Sequence, residues 1–471
     1  MERAQNPPQP FGSKALADIP QDVLYEVRRI EDLFTVNQKK LKQITDHFVK
    51  ELEKGLSKEG GNIPMNVTWA MGFPSGNEQG RYLTVDMGGT NLRVCEVCLT
   101  DGRGEFETTQ EKYKMPPGLR SGTKDELWDF VAECLDDFLK KHHRGGQTSE
   151  KLPLSFTFSY PVTQPTIRNG ILQRWTKDFD VKGVEGQDVT PQFEAALEAK
   201  KVPVQIVALV NDTTGTLIAS HYSDPEVKIG SIFSTGCNAA YMEEAGCIPK
   251  IADAGLSPDT PVAINTEYGA FDNERKVLPI TSFDRQIDEG SPRPGQQTYE
   301  KMVAGLYLGE ILRLVMIHLH DNDGLFRGQD ISRMREPHVI DTCFLSTIEE
   351  YISESMKDIY DAFNRELGIK PAGHELKVCR YLVELIGTRA ARLYACGIAA
   401  ICKKKDIASC HVGVDGSVFN NYHRFRDRAA QALREILDWP EGPDDLITLQ
   451  SAEDGSGVGA ALIAALAMER S

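Results

Sequence analysis

Apolar residues recur along this chain with two different periods, and the switching between them lays out the elements. Leu41, Ile44, Phe48, Leu52 and Leu56 return every three or four positions, as one face of a helix does. Leu127, Phe130, Val131, Cys134, Leu135, Phe138 and Leu139 form a second such face behind a Thr123–Glu126 capping pattern. Between them, RYLTVDMGGTNLRVCEVCL reads as two strands joined by a Gly-Gly-Thr-Asn turn. LPLSFTFSY reads as a strand, VQIVALVNDTTGTLIASHY as a buried strand running into a helix, and IGSIFSTGCNAAYM as another strand–turn–strand. Residues 298–316 and 380–402 read as helices. A strand, HVGVDGSVF, and a final turn and helix, SAEDGSGVGAALIAALAMER, complete the series. Strands alternating with helices predict an α/β fold.

LTVDMGGTNLRV and SIFSTGCNAAYM share one design: apolar strand, Gly/Thr turn, apolar strand. Their turn threonines, Thr90 and Thr235, are about 145 residues apart. A duplicated fold with a ligand between two lobes would account for this, though two short matches do not by themselves establish a duplication.

The chain has 471 residues, too many for one ordinary core, so two or three lobes are expected. A net charge of -16 argues against a nucleic-acid platform or an anionic membrane as partner. The ten cysteines show no repeated metal spacing. Cys95 and Cys98 lie three apart on a strand and so face opposite ways, which suits free thiols in a reducing cytosol. Residues 1–20, rich in Pro and Gln, read as a loose tail without an apolar signal core. The longest apolar run, GVGAALIAALAM, is well short of the roughly 20 residues of a membrane helix, so no membrane anchor is expected.

Asp86-Met87-Gly88-Gly89-Thr90-Asn91 can aim backbone N–H groups at phosphate, with the strand-end Asp holding Mg²⁺ through water; it is equally readable as a hairpin turn. Thr235-Gly236, Asp415-Gly416-Ser417 and Asp454-Gly455-Ser456-Gly457 are further Gly turns, each alone an ordinary loop. GSGVG before the last helix fails as a dinucleotide fingerprint, because too few residues follow for a βαβ unit. Ser159, Thr176, Lys177, Asn211, Asp212, Asn238, Glu267 and Glu300 supply the hydroxyls, amides and carboxylates that a polyhydroxylated sugar needs. Taken singly, each reads as a cap or a solvated side chain.

In combination these segments resemble the hexokinase family, and the fungal hexokinases and glucokinases in particular. DMGGTNLRV, KYKMP, FTFSYPV, QRWTK, LVNDTTGTL, TGCNAAY, INTEYGAFDNE, PGQQTYEKM, LIGTRAARL, VGVDGSV and EDGSGVGAAL stand in family order from about Leu16 to Ala467. The resemblance implies an actin-like ATPase fold, with two lobes around a deep cleft. It implies a tail over 1–20, helices over 21–74 packed with the large lobe, a small lobe over 75–211, and a large lobe over 212–457. A C-terminal helix over 458–471 would return to the small lobe. The implied reaction is ATP-dependent phosphorylation of a hexose at its 6-hydroxyl, the first step of glycolysis.

Ser159, Thr176, Lys177, Asn211, Asp212, Asn238, Glu267 and Glu300 would contact the sugar, with Asp212 as base and Lys177 offsetting charge on the transferred group. Asp86, Gly88, Gly89, Thr90, Asn91, Arg93, Lys112, Thr235 and Gly236 would face the phosphates of MgATP. Thr388, Gly416 and Ser417 would face its adenosine. The implied partners are ATP, Mg²⁺ and a hexose (glucose, fructose or mannose), with no nucleic acid, for a cytoplasmic monomer or weak homodimer.

The chain departs from the family pattern where Gly is usual, at Ser155, Asp178 and Ser234, and at Pro165 and Arg168. A left-handed backbone at Ser234 would strain the turn and weaken the grip on MgATP. These departures keep a rival open, a hexokinase-like sugar sensor with weak or no catalysis.

Overall fold

Among the described residues, the strands collect into two large sheets and one short two-stranded pair. The computed structural model describes residues 19–470 apart from 89–90, 101, 103–104, 143–150, 176–178, 351–355, 440–444 and 453–454. The strands are β1 (Asn66–Met71), β2 (Gly80–Met87), β3 (Asn91–Leu99), β4 (Phe106–Lys114), β5 (Leu152–Phe158), β6 (Val162–Thr163), β7 (Ile171–Leu172), β8 (Val204–Val210), β9 (Val227–Phe233), β10 (Cys237–Glu244), β11 (Pro261–Asn265), β12 (Cys410–Asp415) and β13 (Ile447–Ser451). One sheet runs β4-β3-β2-β5-β8 and the other β1-β11-β10-β9-β12-β13.

Setting β1 aside, the two sheets repeat one plan. In each, the first three strands in chain order form an antiparallel meander, and the fourth and fifth add in parallel beside the first. A helix follows the fifth strand in each half, Asp212–Ser223 after β8 and Gly455–Glu469 after β13. The two similar hairpins of the sequence, β2–β3 and β9–β10, therefore occupy matching places in a repeated half. β1 is an addition, paired antiparallel with β11 at the edge of the larger sheet.

Each sheet has its own apolar core, and a third core joins them. Leu217, Ile218, Leu462 and Ile463, from the two helices just named, lie in that joining core. These helices cross with almost no clearance. A Cβ built on Gly459 would lie 1.9 Å from the Gly215 carbonyl oxygen.

The N-terminal helices, Gln21–Phe34 and Gln38–Leu56, dock on the large lobe. Asn37 caps the second by accepting from the Lys40 N–H, and Leu41, Ile44, Phe48, Leu52 and Leu56 are all buried as their spacing predicts. Their partner is helix Gly373–Lys404, whose Arg392 Nε donates to the Val36 carbonyl at 2.8 Å. This helix is long and apolar enough to cross a bilayer, yet 83% of its most apolar stretch is buried inside the lobe. Charged residues hide it from a search for unbroken apolar runs. One of them, Arg389, is fully buried against Asp284 at 2.8 Å.

The expected helix over 298–316 is two helices, Thr298–Val303 and Gly305–Asp323, separated by an extended Ala304. The break has a cause. The N–H groups of Gly305 and Leu306 donate to the carbonyls of Ser234 and Thr235, fastening the turn between β9 and β10.

Candidate active site

At the carboxyl end of β2, Asp86 stands opposite Arg93 of β3 and pairs with it at 3.0 Å. Ser456, at the start of helix Gly455–Glu469, donates its hydroxyl to Asp86 Oδ2 at 3.0 Å and accepts from Arg93. Burial pushes the Asp86 carboxyl above its ordinary range and the Asp212 charge adds to this, while Arg93 and Ser456 pull it back. Two mutually repelling carboxylates and an arginine form a donor set that fits a divalent cation with a polyphosphate. Lys112 faces Arg93 from β4 and is exposed, as is Asn91 at the start of β3. Gly89 and Thr90 lie outside the described residues.

The next two strands end beside this hairpin. Ser159, just past β5, donates its N–H to the Met87 carbonyl, and its side chain lies 3.2 Å from where a Cβ on Gly88 would be. After β8, Asn211 caps helix Asp212–Ser223 by accepting from the Thr213 N–H at 2.9 Å. Asp212 Oδ1 accepts from the same N–H at 2.7 Å and from the Thr213 hydroxyl at 3.2 Å. Asp212 is half-buried at the positive end of the helix, where a carboxylate is favoured. Thr176 and Lys177, with Asp178, lie outside the described residues.

The large-lobe hairpin supplies the opposite wall. Asn238 of β10 is buried, and Nδ2 donates to Thr213 Oγ1 at 3.1 Å, Asn265 Oδ1 at 2.7 Å and Glu267 Oε1 at 3.3 Å. Its Oδ1 accepts from the N–H groups of Ala239 and Glu267 and from the Thr266 hydroxyl. Glu300 Oε2 accepts from the Cys237 N–H at 3.0 Å, and a Cβ on Gly236 would come within 2.9 Å of that oxygen. Only glycine lets the turn and the carboxylate approach so closely. Glu267 is held in the left-handed region at φ 54 and Gln297 at φ 55, and such strained residues gather at ligand sites.

Gln297 is absent from the sequence-derived set. Its Oε1 is buried without a hydrogen-bond partner, and it lies beside Gly269, which also abuts Glu300. A ligand hydroxyl there would satisfy it. The signal was its place three residues before Glu300 in PGQQTYEKM.

Where the sequence predicts the nucleotide, Ser234 Oγ lies 3.0 Å from Ser417 Oγ, which joins the Thr235-Gly236 turn to Gly416-Ser417 at the head of helix Ser417–Asn421. Thr388 is half-buried on helix Gly373–Lys404. The strain expected at Ser234 is absent. Ser234 is not among the left-handed residues, and its hydroxyl is used. Arg168 is likewise employed, donating to the Ile206 carbonyl and pairing with Glu194 at 2.7 Å. Ser155 is buried with its hydroxyl unpartnered, and nothing in the structure explains it. Glu243, Glu244 and Cys247 also come together, but Lys404 and Lys405 already neutralise these carboxylates.

Two half-sheets repeating one plan, with a carboxylate at the start of the helix that connects them, are the architecture of the actin-like ATPase class of phosphate-handling proteins. Comparison narrows this class. Two family models described as hexokinase match residues 26–222 and 228–466. A hexokinase of Emericella nidulans is 56% identical over 99% of this chain and 95% of its own length. Hexokinase-1 of Saccharomyces cerevisiae is 48% identical over 97% and 95%. A solved Schistosoma mansoni hexokinase, complexed with glucose, superposes with a TM-score of 0.85 at 33% identity, covering 94% of this chain and 99% of that one. The chain belongs to the hexokinase family, and its activity is ATP-dependent phosphorylation of a hexose.

Proposed function

We propose that the space between the hairpins transfers the γ-phosphoryl group of MgATP to the 6-hydroxyl of glucose or a similar hexose, with Asp212 accepting the hydroxyl proton. One observation carries this reading: a continuous chain of hydrogen bonds joins Asn238, Thr213 and Asp212, so that the sugar-facing amide and the base are fixed to each other. Phosphoryl transfer proceeds through a loose transition state, so the protein's task is positioning and charge. Asn211, Asn238, Glu267, Gln297 and Glu300 would orient the sugar hydroxyls, and Asp212 would take the proton as the new O–P bond forms.

Mg²⁺ bound with ATP would offset phosphate charge, and Asp86 would hold it through water. Thr176 and Lys177 keep the roles their motif implies, contact with the sugar and neutralisation of the transferred group. Closure of the lobes over the sugar would exclude water, a competing nucleophile.

The substrate choice is supported by the glucose bound in the Schistosoma relative. We place the activity in the cytosol, in a monomer or weak homodimer; all ten cysteines are free thiols, as a reducing compartment favours. A coupled assay of glucose phosphorylation, together with melting curves in the presence of hexoses, tests the reading. Glucose should be phosphorylated and should raise the melting temperature by binding the native state. A chain that neither phosphorylates a hexose nor is stabilised by one at millimolar concentration would overturn it.

A further inference from the structure

Ser456 lies some 370 residues along the chain from the carboxylate that it touches, within the EDGSGVGAAL segment, whose pattern by itself assigns this serine no partner. It is buried, and its hydroxyl meets both members of the Asp86–Arg93 pair. Both contacts to the carboxylate, from Arg93 and from Ser456, fall on the same oxygen, Oδ2. The other oxygen, Oδ1, faces Gly88 in the phosphate turn, 3.7 Å from where a Cβ on that glycine would be. Rotation about the last side-chain bond of an aspartate is soft, so a carboxylate is oriented only by what grips it. Two donors converging on one oxygen fix its plane and aim the other oxygen at the turn.

Ser456 is also part of the helix crossing. A Cβ on Gly215 would lie 3.3 Å from the carbonyl oxygens of both Gly455 and Ser456, and one on Gly455 would lie 3.0 Å from Thr216 Cα. The helix that carries Ser456 therefore rests on the first turn of the helix that begins at Asp212. We infer that Ser456 is a positioning residue for phosphoryl transfer. Its hydroxyl sets the rotation of the Asp86 carboxylate and, through the crossing, keeps that carboxylate in register with the base Asp212. This inference rests on the reaction proposed above.

The test compares the full chain with Ser456→Ala and Ser456→Thr. It measures turnover, the Michaelis constants for glucose and MgATP, the Mg²⁺ concentration for half-maximal rate at fixed ATP, and melting with and without glucose. Ser456→Ala removes one hydroxyl and adds no bulk. It should lower turnover on the order of 10-fold and raise the Mg²⁺ requirement, since small errors in placement are costly in rate. The glucose constant should stay within about 2-fold and the glucose-induced melting shift should persist, because the sugar contacts are on other elements. Ser456→Thr keeps the hydroxyl and should recover most of the lost turnover. An active parent with an equally active Ser456→Ala variant would sink the inference alone. So would a variant that loses turnover and glucose stabilisation together, since that is general loosening of the fold. A parent chain without hexose phosphorylation would sink the proposed reaction and this inference with it.

Discussion

The hairpins β2–β3 and β9–β10 hold matching places in the two halves, yet they carry opposite chemistry at the second residue pair back from the turn. In the small lobe that pair is Asp86 and Arg93. In the large lobe it is Ile232 and Asn238. One backbone plan thus presents an ion pair on one side of the cleft and a neutral amide on the other. An ion pair suits a polyanion and its metal, whose charge it can balance. An amide that both donates and accepts suits uncharged hydroxyls, which charge would distinguish poorly. Asp212, the proposed base, stands between them at the start of the connecting helix.

The largest expected effect comes from the residue that both hairpins serve. Asp212→Asn keeps shape and removes the base, so turnover should fall at least about 100-fold while glucose still raises the melting temperature. Near-normal turnover would remove Asp212 from that role.

The charged hairpin should show a conflict between activity and stability that the neutral one lacks. Burial and the Asp212 charge raise the Asp86 carboxyl, so the folded chain binds this proton more tightly than the unfolded chain does. Asp86 therefore supports folding below the ordinary carboxylate pKa, and that support disappears as pH rises through the raised value. Asp86→Asn should lose about 10-fold or more in turnover and yet melt higher than the parent near neutral pH, with the gap closing toward about pH 4. Melting curves across that range decide it, and an Asp86→Asn chain that melts lower at every pH would contradict the sign.

On the neutral side, Asn238→Ala deletes an amide with bonds to Thr213, Asn265 and Glu267. The glucose Michaelis constant should rise roughly 5- to 10-fold, as the loss of one buried hydrogen-bonding group does, with the MgATP constant within about 2-fold. A change of equal size in both constants would mean that the hairpins do not divide the work. The smallest effect is expected at Ser234. Its backbone is unstrained and its hydroxyl meets Ser417, so Ser234→Gly should bring no improvement in the MgATP constant. A clear improvement would revive the strain reading.

What could be read in advance was whatever is written locally. The face from Leu41 to Leu56, the Thr123–Glu126 capping box and both strand–turn–strand segments carry their signal within a few residues. Family motifs supplied the residues of the site, and the structure brings together Asp86, Gly88, Ser159, Asn211, Asp212 and Asn238. The remainder depends on partners remote in sequence. The break at Ala304 arises because a turn some 70 residues earlier captures two N–H groups, and nothing in the helical period of 298–316 announces this. Ser456 grips a carboxylate from the far end of the chain, and Gln297 matters through a left-handed backbone and a buried oxygen. At Ser234 the family's usual glycine is dispensable, because the turn does not need a left-handed backbone there and the hydroxyl meets Ser417.

The edge strand β1 has a consequence for how the chain is made. Its residue Asn66 pairs with Asn265, so during synthesis the strand emerges about 200 residues before its neighbour β11. At roughly 5–20 residues per second, that is a delay of about 10–40 seconds. The sheet β4-β3-β2-β5-β8 needs only residues 80–210 and can pair up within that interval. Helices Gln21–Phe34 and Gln38–Leu56 wait longer still, since the helix that buries them starts at Gly373. These early-made helices and β1 are thus among the last of the described elements to find their places, and their apolar faces need shelter until then.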